Sequence, residues 1–207
     1  MQNKGHLIII PIVHTHADFG SLGSKVSVDQ EYETTTTQYW QAVSEYTQEL
    51  PFDLSKLKVY QDGLPDSSVR IVARIVDETQ TINYDILRWL RGKGAHIMGT
   101  ESPSLLLQEY RALQAIFNAE SEEQKNAARL DYAKVNAHLL EGRDEYIAQR
   151  IKNTLPEGGM GILFIGLAHE VHKLLEQEMD VSEPEVLIGG SSDTLRKRLL
   201  YGKEREA

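Results

Sequence analysis

Cysteine is absent from the chain, and that absence excludes disulfides, thiolate metal ligands and a cysteine nucleophile together. Positive charge is scarce: 22 Lys and Arg stand against 31 Asp and Glu, for a net charge of −9. Non-specific binding to nucleic acid or to an anionic membrane rewards clustered basic residues, so neither partner is expected. The cluster of Arg196, Lys197, Arg198, Lys203 and Arg205 lies beside acids and reads as a solvated helix face. Long apolar runs are also missing. No stretch approaches the ~20 residues of a spanning helix. The apolar core of MQNKGHLIIIPIV is too short for a signal peptide and lacks a small-residue cleavage site. The expectation is a cytoplasmic protein.

What remains is the composition of an ordinary folded domain, 207 residues with 41% hydrophobic and 26% charged. That length suits one well-packed α/β unit over residues 1–207. Residues 7–20, LIIIPIVHTHADFG, run apolar and then stop abruptly at His14, His16 and Asp18. An unbroken Ile/Val-rich run fits a strand buried on both faces of a parallel sheet, with the polar cluster at its C-terminal end. The same grammar recurs. Residues 57–60 (LKVY) lead to Asp62, residues 95–99 (AHIMG) to Glu101, and residues 161–165 (GILFI) to His169. In open α/β sheets ligands bind where the strands end, so these four endings read as one site.

Between the strands the periodicity is helical. Tyr39, Trp40, Val43, Tyr46 and Leu50 recur at helical spacing before Pro51, and their aromatics read as packing. Residues 67–90 are expected to be mainly helical, with Asn83 and Tyr84 marking an interruption or cap, and Gly92 and Gly94 ending the segment. Ser102 or Ser104 can cap the next helix, with Pro103 in its first turn. Residues 103–141 then form the largest insertion, two helices or one bent one broken near residues 119–122, lying over the site. Residues 143–155 read as a separate compact amphipathic helix, and PEGG at 156–159 delivers the fourth strand. A helix over 170–179, a fifth strand at 185–188 and a last helix over 191–200 complete the reading. The predicted architecture is a mostly parallel sheet of about five strands flanked by helices, with a helical insertion between the third and fourth strands. His96 is expected buried within a strand. His138 and His172 are expected exposed on helices, His172 within reach of the site.

The block over 143–169, RDEYIAQRIKNTLPEGGMGILFIGLAH, resembles the superfamily of erythromycin esterase, the TraB proteins, the haem-binding ChaN-like lipoproteins and the Tiki-type metalloproteases. Those chains carry an Arg-containing helix, a hydrophobic strand and a Gly-x-x-His turn; here the turn is Gly166 to His169 and the arginine is Arg143. Their first strand also ends in Gly-x-x-His, where this chain has Pro11, Ile12, Val13 and His14. The resemblance implies an acid after an early strand, either Asp62 or Glu101, with Glu101 preferred because Asp-Gly already has a turn role. HTHAD is also similar to the His-x-His motif of the polymerase-and-histidinol-phosphatase (PHP) and amidohydrolase families, which implies a metal-dependent phosphoesterase. On a strand, positions two apart share a side, so His14 and His16 could hold one metal. Those barrels need seven or eight strands, against about five here.

The reading these residues support is a hydrolase of a small-molecule or peptide substrate, with His14, Glu101, His169 and Arg143 as catalytic groups. In a metal version, His14, His16, Glu101 and His169 bind Zn²⁺ or Mn²⁺ and acidify a bound water. In a metal-free version, one histidine is the general base. Asp18, Asp62 and Arg143 face the substrate, Arg143 holding a carboxylate or phosphate or steadying Glu101. The ChaN-like resemblance implies a different function, binding of haem or a small ligand in a histidine-lined cleft near Tyr32 or Tyr60. No Gly-x-Ser-x-Gly elbow, P-loop or dinucleotide fingerprint occurs. Oligomeric state is open, a homodimer included.

Overall fold

The chain is described by a computed structural model over residues 4–13 and 30–184. The opening apolar run forms strand β1 (His6–Ile12). Helix α1 (Gln30–Gln48) precedes strand β2 (Lys58–Gln61), and helices α2 (Val69–Glu78) and α3 (Ile82–Gly92) lead to strand β3 (His96–Met98). Helices α4 (Pro103–Phe117) and α5 (Glu122–Thr154) separate β3 from strand β4 (Met160–Gly166), and helix α6 (Val171–Leu175) leads to strand β5 (Asp180–Ser182). The five strands make one sheet in the order β3-β2-β4-β1-β5, and every pairing is parallel. The fold is α/β, with the helical insertion between the third and fourth strands.

After His6, β1 is apolar, and both of its faces are covered. Ile8, Ile10 and Ile12 join Val59, Ile162 and Phe164 on one side, packed on Trp40, Val43, Val76 and Leu87 from α1 to α3. Leu7 and Ile9 join Tyr60, Leu163 and Ile165 on the other, against Ile147 and Ile151 of α5 and Val171 and Leu175 of α6. The period of two along each strand thus sorts side chains into two cores. β5 pairs only with residues 6–8 of β1 among the described residues, so Pro11 lies past its end, where a missing N–H removes no ladder bond. The freed carbonyls are satisfied by α1: Tyr39 donates its hydroxyl to Pro11 O at 2.5 Å, and Trp40 Nε1 donates to Val13 O at 2.8 Å. Both aromatics are packing residues, as expected from their spacing.

Five expectations need correction. Residues 143–155 are not a separate helix but the last part of the 33-residue α5. Gly142 costs the helix only about 1 kcal/mol, and beyond it Ile147, Ala148 and Ile151 pack into the core under the sheet and hold the helix there. The segment over 67–90 breaks at Thr79 rather than at Asn83, with Thr81 at the N-cap position of α3. Arg88 closes that break by donating to the Val76 and Thr79 carbonyls at 2.5 and 2.7 Å. The helix expected over 170–179 spans only Val171–Leu175. His96 is exposed rather than buried, because β3 is the edge strand. His138 is exposed, as expected, whereas His172 is half-buried rather than exposed. The strand expected at 185–188 and the helix at 191–200 lie outside the described residues, whose fifth strand is β5.

At roughly 1.5 Å per residue, α5 is about 50 Å long. Its buried residues all lie from Leu139 onward, and α4, packed against its first half, has none. The insertion is therefore a helical hairpin, and only the C-terminal part of α5 lines the core. Among the described residues, no helix is long and apolar enough to cross a membrane.

Candidate active site

The strand endings are stitched together before any functional side chain enters. Thr100 Oγ1 accepts the Gln61 N–H at 3.0 Å, and the N–H groups of Thr100 and Glu101 both donate to Leu64 O. Asp66 N–H returns to Glu101 O at 2.7 Å, and Asp62 N–H extends the ladder to Phe164 O at 2.9 Å. Gly63 takes the left-handed conformation (φ 74°) that the Asp-Gly turn requires. Gly99 is needed for a different reason: a Cβ there would lie 2.5 Å from Pro65 O and 2.7 Å from Asp66 Cα, both backbone atoms. Gly99→Ala is expected to destabilise the fold by about 1–3 kcal/mol. A thermal midpoint lowered by roughly 2–4 °C per kcal/mol checks this, and an unchanged midpoint means the loop gives way.

On this platform four sequence-predicted residues meet. Arg143 Nε donates to Glu101 Oε2 at 2.6 Å, and Nη2 donates to Glu101 Oε1 and Asp62 Oδ1, each at 2.7 Å. Its Nη1 reaches Glu109 Oε2 on α4 at 2.5 Å. Glu101 is 0% exposed and also accepts the Gly63 N–H at 2.6 Å. The second oxygen of Asp62 accepts the Gly166 N–H at 2.9 Å and faces His169 Nε2 at 3.6 Å. His169 follows the tight turn that its own N–H closes on Gly166 O, and its Nδ1 is hydrogen-bonded to Asp144 Oδ1. Asp144 Oδ2 accepts the Glu170 N–H at 2.8 Å. Arg143 and Asp144 are consecutive in α5, so their side chains diverge by about 100°. One serves the β2 and β3 endings while the other serves β4.

Charge in the cluster is shared unequally. Burial pushes the Glu101 carboxyl up to about 7, against the Arg143 hydrogen bonds and reinforced by neighbouring Asp62. Burial would also raise Asp62, but the Glu101 hydrogen bond, the charges of His169 and Arg143 and the Gly166 N–H hold it below the usual carboxylate range. For His169, burial favours the neutral ring. The Asp144 hydrogen bond and the charges of Asp62 and Asp144 outweigh it, so the imidazole lies above its ordinary 6.5. The surrounding carboxylates likewise raise Arg143 against its burial. The deepest carboxyl thus tends to keep its proton, while the one beside His169 is ionised.

The expected residues divide as follows. Asp62, Glu101, Arg143 and His169 are brought together, with Asp62 and Glu101 both accepting from Arg143. His14, His16 and Asp18 lie outside the described residues. Asp144 and Glu109 were missed. Asp144 had a signal, its position next to Arg143 in the family-like block; Glu109 had none. Tyr60 does not line a cleft as the haem reading assumed. It is fully buried against α5, with its hydroxyl 2.8 Å from Thr154 Oγ1 and pushed up to about 12 by that burial.

Of the four expected metal ligands, Glu101 and His169 lie among the described residues, and His14 and His16 do not. Both oxygens of Glu101 and one of Asp62 are taken by Arg143, the other Asp62 oxygen by Gly166 N–H, and His169 Nδ1 by Asp144. Among the described residues no group of three or more His, Asp and Glu side chains is arranged to hold a metal. Compared with protein-family models, curated proteins and solved structures, the chain matches none of them.

Proposed function

We propose that the chain is a hydrolase that works by general acid–base catalysis, with His169 as the base. The observation that carries this reading is the Asp144–His169 pair. Asp144 accepts from Nδ1, which sets the tautomer and leaves Nε2 as the nitrogen able to take a proton. At 3.6 Å from Asp62 Oδ2, Nε2 is outside hydrogen-bonding range yet close enough for Asp62 to stabilise an imidazolium. Water deprotonated by Nε2 would attack an ester, amide or phosphoester, and the proton would pass from His169 to the leaving group. Arg143 is a positioning residue here, since its donors are spent on carboxylates. It fixes Asp62 beside His169. The resemblance of the block over 143–169 to the erythromycin esterase, TraB and ChaN-like superfamily supports the same choice of residues, because its arginine, acid and Gly-x-x-His are the ones that converge.

The test is a panel of chromogenic ester, amide and phosphoester substrates, run on wild-type and His169→Ala protein of matched thermal midpoint. Turnover should appear in one class, and it should rise as pH climbs through the His169 value because the base must be neutral. Turnover that survives His169→Ala undiminished would sink the assignment.

A further inference from the structure

A cavity of about 430 Å³ opens beside the cluster, and its wall is divided by chemistry. Ile12, Leu106 and Leu113 are apolar, whereas Gln61, Asp62 and Glu109 present acceptors. Arg143 also reaches this wall, but four of its N–H groups already serve Glu101, Asp62 and Glu109. A guanidinium has five. Three carboxyl groups therefore face one guanidinium, and although Thr79, Thr81, Asn83 and Tyr84 add neutral polar groups to the wall, an anion entering the cavity would meet like charge from Asp62 and Glu109.

Gln61 supplies a second, independent observation. It is 1% exposed, and its Nε2 donates to Asp62 O at 3.1 Å, which leaves Oε1 buried with no hydrogen-bond partner. The amide cannot be turned round, because an oxygen facing the Asp62 carbonyl would be repelled. A buried acceptor without a donor is uncommon and calls for an explanation. At the wall of a cavity already rich in acceptors, the explanation is a ligand that donates.

We infer that this cavity takes the cationic head of a ligand, an ammonium or guanidinium carried on an apolar body, with Gln61 Oε1 and the Asp62 and Glu109 carboxylates as its acceptors. The substrate of the proposed hydrolase is then amine-bearing rather than acidic. That last step rests on the hydrolase reading; the binding site does not. The several N–H bonds of such a head match several convergent acceptors, and its apolar body matches Leu106 and Leu113. A neutral alcohol meets only part of this demand.

The experiment is isothermal titration calorimetry near neutral pH with three probes of nearly one shape: benzylammonium, benzyl alcohol and benzoate. Both wild-type and His169→Ala protein are used. Benzylammonium should bind on the order of tenfold more tightly than benzoate, since hydrogen bonds to a charged group are strong. Glu109→Gln and Gln61→Leu should each weaken it by a similar factor. Benzoate binding as tightly as benzylammonium, absence of benzylammonium binding, or binding indifferent to both variants would overturn the inference. If the amine binds His169→Ala and wild-type protein alike while wild-type protein hydrolyses nothing, the site stands and the hydrolase reading falls. If hydrolysis depends on His169 and the amine fails to bind, the inference falls alone.

Discussion

Replacing Arg143 with methionine is expected to lower the unfolding free energy by about 3–5 kcal/mol, the cost of removing one partner from a buried ion pair. Methionine fills much of the same space, so the loss measures buried carboxyl groups left without their donor rather than a cavity. Glu101 is 0% exposed, and its two oxygens lose their Arg143 donors at once. Asp62 and Glu109 each lose theirs as well. Urea unfolding at neutral pH reads the change. Arg143→Lys should recover only part of it, because an ammonium keeps the charge but lacks the fork that meets both Glu101 oxygens and Asp62 together. Adding Glu101→Gln to Arg143→Met should restore stability beyond the sum of the single effects, since the buried carboxyl that lost both Arg143 donors is then replaced by a neutral amide. Additive losses would mean that Arg143 and Glu101 act as independent surface groups.

The fold was legible in the sequence where a pattern has one physical cause. The uninterrupted apolar run over 7–13 suits a doubly covered strand, and residues 57–60, 95–99 and 161–165 ended as it did, so a parallel sheet with a polar edge was the expectation. Helix boundaries were less legible. Gly142 resembles a break, and tertiary burial of Ile147, Ala148 and Ile151 carries α5 through it. Site residues were visible when they stood directly after a strand, as Asp62, Glu101 and His169 do. Asp144 and Glu109 were not, because their roles depend on which way a helix faces. Asp144 matters because α5 turns it toward β4, and Glu109 because the hairpin folds back over Arg143.

Asp144→Asn is the most demanding test of the His169 assignment, because it leaves shape nearly unchanged. The carboxylate accepts from His169 Nδ1 and from Glu170 N–H. An amide can keep one of these contacts only by turning its NH₂ toward the other, and it no longer requires the proton on Nδ1. Nε2 is then no longer held as the basic nitrogen, and a loss of roughly 10²–10⁴-fold in kcat/KM is expected, the range that general-base catalysis supplies. His169→Ala should cost about as much, and the double variant little more, because the pair acts as a unit. The titration gives an independent readout. His169 in the fold lies above its ordinary 6.5, so its contribution to stability is fully present below the unfolded value and is lost as pH rises through the folded one. Asp144→Asn removes the hydrogen bond that does most to raise it, so the ring C–H resonances should titrate at lower pH and that loss of stability should become shallower. Glu101, raised from 4.5 to about 7, has the same sign and keeps its slope in the variant, since Asp144 is not among its causes. A variant with unchanged turnover and unchanged ring titration would show that Asp144 serves only to anchor Glu170 N–H.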